Sequence, residues 1–295
     1  VFSDLVLRTK VFEQKVLTIH PDKSILVKHT QTNTQTSNAI RRNAVNSDYK
    51  SDNLWFMKGD CLERMKEIPD GSVDMVLTDP PYGTTACKWD SIIPLEPMWE
   101  QLKRIIKPNG AIVLFGSEPF SSALRMSNIR NYRYDWVWNK ITARGHLVAK
   151  KVPMKQHEMI SIFYEKAPTY NPQMVLKQKP ERGSSIESSR TELVGGKTTK
   201  KKETITRTHS YPKTIQTFGM DKRVGHPTQK PVALMEYLIK TYTNEGETVL
   251  DFTSGSFTTG VACVNLDRNF IGIEMDDHYY DIGTERVLKA LAEKL

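Results

Sequence analysis

The stretch Val73-Asp74-Met75-Val76-Leu77-Thr78-Asp79-Pro80-Pro81-Tyr82 decides how the chain is read. Val73 to Thr78 form an apolar run broken only by Asp74, the pattern of a buried β-strand. Asp79, two prolines and an aromatic ring then stand where a parallel strand ends, the edge at which open α/β sheets place their ligands. Proline fixes φ and carries no N–H, so the carbonyls of this turn lack a local donor and stay free to accept from a ligand. Asp79 and the Pro80 carbonyl are thus two acceptors beside a stacking ring, Tyr82. Such a set suits a planar exocyclic amine, which offers two N–H donors and a π-face. A strand-end turn with a capping Asp is the plainer account of the tetrapeptide when it is taken alone.

Its context narrows the choice. Thr248-Val249-Leu250-Asp251-Phe252-Thr253-Ser254-Gly255-Ser256-Phe257-Thr258-Thr259-Gly260-Val261-Ala262-Cys263 reads as a short strand, a tight turn and a helix of small residues. A second strand, Phe270-Ile271-Gly272-Ile273-Glu274, ends in an acid about 20 residues past the turn, where a nucleotide-binding βαβ unit holds a ribose diol. Between the two halves lies Gly225-His226-Pro227-Thr228-Gln229-Lys230-Pro231, directly before an amphipathic helix. The three motifs, in this order, resemble the β-class of DNA amino-methyltransferases, which methylate N6 of adenine or N4 of cytosine. The resemblance covers roughly residues 53 to 170 and 223 to 290. Methyltransferases that act on glutamine side chains or RNA bases can carry a similar tetrad, but generally place their cofactor turn before it. The order here favours DNA.

The resemblance implies a doubly wound, seven-stranded Rossmann-like α/β sheet in the circularly permuted β-class order, with a basic target-recognition insert. It implies S-adenosylmethionine as methyl donor, S-adenosylhomocysteine as product, and no metal. Asp79, Pro80, Pro81 and Tyr82 would be catalytic. Asp60, Asp79, His226, Thr228, Lys230, Asp251, Phe252, Thr253, Gly255, Ser256, Thr258 and Glu274 would hold the cofactor, with Glu274 on the ribose hydroxyls. Asp60 reads equally well as a helix N-cap. Tyr82, Trp89, Lys140, Arg144, Lys150 and Lys151 would meet double-stranded DNA whose target base is flipped out. Asp at the first position of the tetrad tilts the target toward adenine, with N4-cytosine as the alternative.

One departure stands in the cofactor turn. Thr253 occupies the family's Phe position, and Phe257 occupies the place of the last glycine of its F-x-G-x-G pattern. The ring either turns into the helix–sheet packing or crowds the methionine end of the cofactor. The packing placement is expected. The other would make the protein a catalytically weak DNA-binding relative.

Composition sets the outer limits. At 295 residues with net charge +8, the chain can bury a large core and suits a polyanionic partner. Three cysteines, Cys61, Cys87 and Cys263, lack paired spacing, so neither a disulfide framework nor a structural zinc site is expected and a reducing cytoplasm fits. The chain shows no membrane-span or signal-peptide pattern. The setting expected is cytoplasmic, bacterial or phage-like.

Four segments follow: a polar extension over 1–52, a catalytic half over 53–169, a recognition region over 170–222 and a cofactor half over 223–295. The extension reads as a solvated arm or a dimer contact, with a homodimer as the assembly considered. Within the catalytic half, a helix is expected from about Leu95 to Lys107, stopped by Pro108-Asn109-Gly110. In residues 170–222 periodicity disappears, and eleven Lys or Arg face five Asp or Glu. With the acid-free stretch from Lys140 to Lys155, this makes a surface for phosphate contacts.

Overall fold

The computed structural model describes residues 48–83, 90–186, 202–221 and 228–294. The 1–47 part of the expected extension, the loop carrying Trp89, and His226 lie outside the described residues.

Strands β1 (Tyr49–Lys50), β2 (Leu54–Lys58), β3 (Val73–Thr78), β4 (Ile106–Gly116), β5 (Tyr132–Arg144), β6 (Lys155–Phe163), β9 (Ile215–Thr217), β10 (Thr248–Asp251) and β11 (Asn269–Glu274) form one sheet. Their spatial order is β1-β2-β11-β10-β3-β4-β6-β5-β9. From β2 to β4 every neighbouring pair is parallel. Beyond β4 the direction reverses: β6 runs antiparallel to both β4 and β5, and the short β9 lies parallel to β5. The expected seven strands are therefore nine in this sheet among the described residues. Tyr49 adds an edge before the expected start, its ring stacked 5.1 Å from Phe56. The sheet is mixed, mostly parallel, as the sequence pattern of alternating strands and helices anticipates.

Alternation along the strands divides the core into two faces. Phe56, Met75, Leu77, Val113 and Phe115 point to one, together with Leu234 and Leu238 of α4 (Val232–Tyr242), Ala262 of α5 (Thr258–Asn265) and Val287 of α6 (Asp277–Lys294). Met57, Val76, Leu114 and Ile273 point to the other, with Cys61 of α1 (Cys61–Arg64), Met98 and Leu102 of α2 (Leu95–Ile105), and Leu124 of α3 (Phe120–Ser127). Helices thus cover both faces. Met98, Leu102 and Ile105 recur at the spacing of one helical stripe, all fully buried.

The expected stop of α2 is displaced. The helix ends at Ile105, and Ile106 already belongs to β4. Pro108-Asn109-Gly110 forms a bulge inside the strand: Val73 pairs with Ile106, but Met75 pairs with Ala111. A bulge tolerates the missing N–H of proline. Gly110 is required there, because a Cβ would lie 2.6 Å from Ile106 Cγ1 and 2.8 Å from the Asp74 carbonyl oxygen.

The segment from residue 170 is also more ordered than its sequence suggests. β7 (Val175–Ile186) and β8 (Lys202–Ser210) pair antiparallel as a separate two-stranded ribbon. Along its described side chains, 175–182 and 206–210, the ribbon is mostly exposed, which leaves no hydrophobic alternation to read there. Among the described residues no helix is long and apolar enough to cross a membrane.

Candidate active site

Strand order reverses between β10 and β3: from β3 the chain builds outward to β4, and from β10 to β11 on the other side. Ligand crevices of open α/β sheets form outside the carboxyl ends of the strands at such a point. Four acids stand there, one for each of four parallel strands. Asp60 follows β2, Asp79 follows β3, Asp251 ends β10 and Glu274 ends β11. All four line one cleft of about 670 Å³, a size typical of small-molecule sites.

Asp79 is held from two sides. Tyr82 Oη donates to Oδ1, and the Lys230 ammonium donates to Oδ2. Burial pushes the Asp79 carboxyl up, against the pull of Lys230. Burial by itself lowers the Lys230 ammonium, but Asp79 and Glu158 outweigh it and hold the group protonated. Glu158 on β6 lies 3.4 Å from Lys230 Nζ through Oε2, while its Oε1 accepts from Lys140. The Tyr82 ring stacks at 5.2 Å on Phe120, and the Tyr82 and Gly83 amides donate to Asp90 Oδ1 at 2.7 and 2.8 Å. The Asp-Pro-Pro-Tyr turn is thereby pinned at both its aromatic ring and its backbone.

The second half is a hydroxyl network. Asp251 Oδ1 accepts from Thr78 Oγ1 at 2.6 Å, and Oδ2 accepts from Thr259 Oγ1 at 2.5 Å. Burial raises the Asp251 carboxyl to about 6 even so. Thr253 Oγ1 donates to the Asp79 carbonyl at 3.2 Å, tying the two strand-end turns together. Glu274 takes the Gly255 amide on Oε2 at 2.7 Å and the Asp276 amide on Oε1 at 2.9 Å, and burial raises its carboxyl too.

Phe257 turns away from the cleft. It is fully buried, with its ring 5.3 Å from Phe56 and 5.9 Å from Tyr280. Its backbone is left-handed, φ 55° and ψ 39°, the conformation a glycine would adopt without strain. The ring fits because position 283 has no side chain: a Cβ on Gly283 would lie 2.5 Å from Phe257 Cδ1. Arg286, also on α6, donates to Ser256 Oγ at 2.9 Å and Thr258 Oγ1 at 3.2 Å.

Of the residues singled out in the sequence, Asp60, Asp79, Pro80, Pro81, Tyr82, Lys140, Arg144, Thr228, Lys230, Asp251, Phe252, Thr253, Gly255, Ser256, Thr258 and Glu274 all line the cleft. Asp60 also caps α1, accepting from the Leu62 amide at 2.8 Å, so both of its readings describe the residue. Lys140 faces Glu158 rather than open solvent. Lys150 and Lys151 lie outside the cleft, exposed in the turn between β5 and β6. Sequence reasoning missed Glu158, Asp90 and the direct pairing of Lys230 with Asp79. A signal existed for Glu158, an acid set directly before the apolar half of a strand.

The comparisons with known proteins agree with this geometry. A family model described as DNA methylase, for enzymes of the N6/N4 type, matches residues 73–285. The chain belongs to that family. Among relatives of the family, the DNA adenine methyltransferase YhdJ of Escherichia coli is 29% identical over 258 residues, covering 79% of this chain and 82% of its own. The Type II methyltransferase M2.MboI of Moraxella bovis is 26% identical over 267 residues, covering 81% and 89%. The crystal structure of the M1.HpyAVI–SAM complex superposes with TM-score 0.54 at 25% identity, over 79% of this chain and 99% of the other.

Proposed function

We infer that this DNA methylase transfers a methyl group from S-adenosylmethionine to the exocyclic N6 amino group of adenine in a base flipped out of duplex DNA. The observation that carries the reading is the placement of Asp79 and Tyr82 at the end of β3, in one cleft with Glu274 at the end of β11. The residues present fit the cofactor. A cleft edged by four carboxylates suits a positively charged sulfonium, and Glu274 stands where a ribose diol is held. Asp60 and Phe252 would flank the adenine ring, with Gly255, Ser256, Thr258 and Thr228 toward the methionine end. When bound, the cofactor supplies an electrophilic methyl, which the amino nitrogen takes as the carbon–sulfur pair stays on sulfur, leaving S-adenosylhomocysteine.

The chain's own residues prepare the nitrogen. An exocyclic amine is a weak nucleophile because its lone pair is delocalised into the base. Asp79 and the Pro80 carbonyl each accept one amino hydrogen, which draws the nitrogen toward tetrahedral geometry and localises that pair. Asp79 then faces the positive charge that grows on the nitrogen and receives the proton it gives up. Extruding the base costs a few kcal/mol. Stacking on Tyr82, itself backed by Phe120, offsets about 1–3 kcal/mol of that.

The motif order corresponds to the permuted wiring of the β-class. The β7–β8 ribbon and the basic turn with Arg144, Lys150 and Lys151 form the recognition surface. Adenine is favoured by Asp at position 79 and by the adenine specificity named for YhdJ. The test is incubation of the protein with labelled S-adenosylmethionine and unmethylated DNA or RNA, followed by mass analysis of the digested nucleosides. N6-methyladenine in DNA is expected. N4-methylcytosine would overturn the target base, and methyl groups on RNA alone would overturn the substrate.

A further inference from the structure

We propose that Glu158 is a positioning residue that receives the Lys230 ammonium when the target amino group arrives at Asp79. Both Asp79 carboxylate oxygens are engaged before any substrate is present, Oδ1 by Tyr82 and Oδ2 by Lys230. A base amine that donates to Oδ2 beside that ammonium would place its growing positive charge next to a fixed one. Like charges a few ångströms apart in a poorly solvated site repel strongly. Lys230 must therefore shift, yet it cannot simply be freed, because its side chain is 8% exposed and an unpaired buried charge is costly.

Glu158 offers the alternative seat. Its Oε2 is buried and, among the described residues, accepts no hydrogen bond. It already lies 3.4 Å from Lys230 Nζ, so a movement of under about 1 Å brings the pair to hydrogen-bond distance. Lys140 holds the other oxygen, Oε1, which aims the carboxylate at Lys230. The Phe115 ring, 5.0 Å from Lys230 Nζ, flanks the ammonium. The long Glu158–Lys230 ion pair leaves Oε2 room for a closer one, so the lysine shifts its weight from one carboxylate to the other without passing through water. Asp79 is left with its full charge for the amino hydrogen.

The inference rests on the proposed methyl transfer to DNA, so wild-type turnover on DNA is measured first; its absence overturns that reading and this one with it. Given turnover, Glu158→Gln should lower kcat at least tenfold with the Kd for S-adenosylmethionine within twofold. Glu158→Asp, which keeps the charge, should recover part of the rate. In a Lys230→Met background, Glu158→Gln should cause no further loss, since the group it serves is gone. A crystal structure with a target duplex and S-adenosylhomocysteine gives a readout independent of rate, and Lys230 Nζ should sit on Glu158 there. Glu158→Gln turnover within twofold of wild type, an equal loss in both backgrounds, or Lys230 still on Asp79 beside a seated base would each overturn the proposal while leaving the methyl transfer intact.

Discussion

The parallel and antiparallel halves of the sheet do different work. From β2 to β4, every strand runs the same way and each of four neighbours delivers an acid to one edge. Beyond β4, β6 and then β5 reverse direction, and the chain turns outward, into the exposed 145–154 turn and the β7–β8 ribbon. Exposed Leu147, Val148 and Val152 sit there among Arg144, Lys150 and Lys151. In the first half the acids ending β3, β10 and β11 are buried or partly buried and hydrogen-bonded. In the second, β5 and β6 are themselves buried in part and bring Lys140 and Glu158 to the cleft, and it is the segments beyond them that carry solvated cations and uncovered side chains. On the proposed reading, chemistry would rest mainly on the parallel half, with Glu158 reaching it from β6, and contact with DNA on the segments that extend beyond β5 and β6.

If this division holds, substitutions in the two halves should affect different measurements. Asp79→Asn should lower kcat a thousandfold or more, about 4 kcal/mol, with cofactor affinity nearly unchanged, because the amide loses the charge that faces the reacting nitrogen. Retention of a tenth of the wild-type rate would remove Asp79 from its assigned role. Asp251 sharpens the comparison through pH. Its folded carboxyl, raised to about 6 by burial, binds a proton more tightly than the unfolded one, so the folded state loses stability as pH rises from about 4 to about 6. Asp251→Asn should therefore gain on wild type across that window, by on the order of 3 kcal/mol at most, in denaturant unfolding at several pH values.

Phe257→Gly should destabilise the fold by about 2–3 kcal/mol, the cost of the cavity less the strain relieved at a left-handed position. A gain in cofactor affinity with unchanged melting temperature would contradict the observed packing. In the other half, Leu176 pairs with His209, so residues 177 to 208 can be replaced by a short Gly/Ser link. That change should weaken DNA binding roughly tenfold to a hundredfold and spare cofactor binding, as measured by titration of each ligand. The smallest effect is expected for Lys150→Gln with Lys151→Gln. Affinity should fall severalfold and the slope of its logarithm against that of salt by about 2, equally for all sequences. A loss of kcat from this pair would break the division between the halves.

What could be read from the sequence follows the same line. Asp79, Asp251 and Glu274 were legible because each closes a short apolar strand, Asp79 and Asp251 before a turn with a Pro or Gly/Ser signature and Glu274 at the spacing of a βαβ acid past that turn. The meeting of Glu158, Lys230 and Asp79 was not, because they come from β6, from the segment before α4 and from the end of β3, elements far apart in the chain whose approach no local pattern encodes. The ribbon escaped because a strand pair whose described side chains are mostly exposed leaves no alternation to find. The bulge at Pro108-Asn109-Gly110 was read as a helix stop because the same residues serve both ends, and only the pairing of Met75 with Ala111 separates the two. The direction of Phe257 was a choice between two placements that turned on a glycine 26 positions away.

That glycine makes the turn and the last helix a single heritable unit. Phe257 and Gly283 share one volume: the Phe257 ring and a Cβ at 283 cannot both stand there. A lineage that restores glycine at 257 opens room at 283, and one that enlarges 283 first meets a steric barrier until 257 shrinks. The two sites should therefore drift as a reciprocal pair, and the accessible order of substitutions runs through 257. Arg286, reaching from the same helix to Ser256 and Thr258, adds a second tie. Grafting a relative's glycine-bearing cofactor turn into this chain would leave an unfilled volume beside Gly283 unless its final helix travels with it.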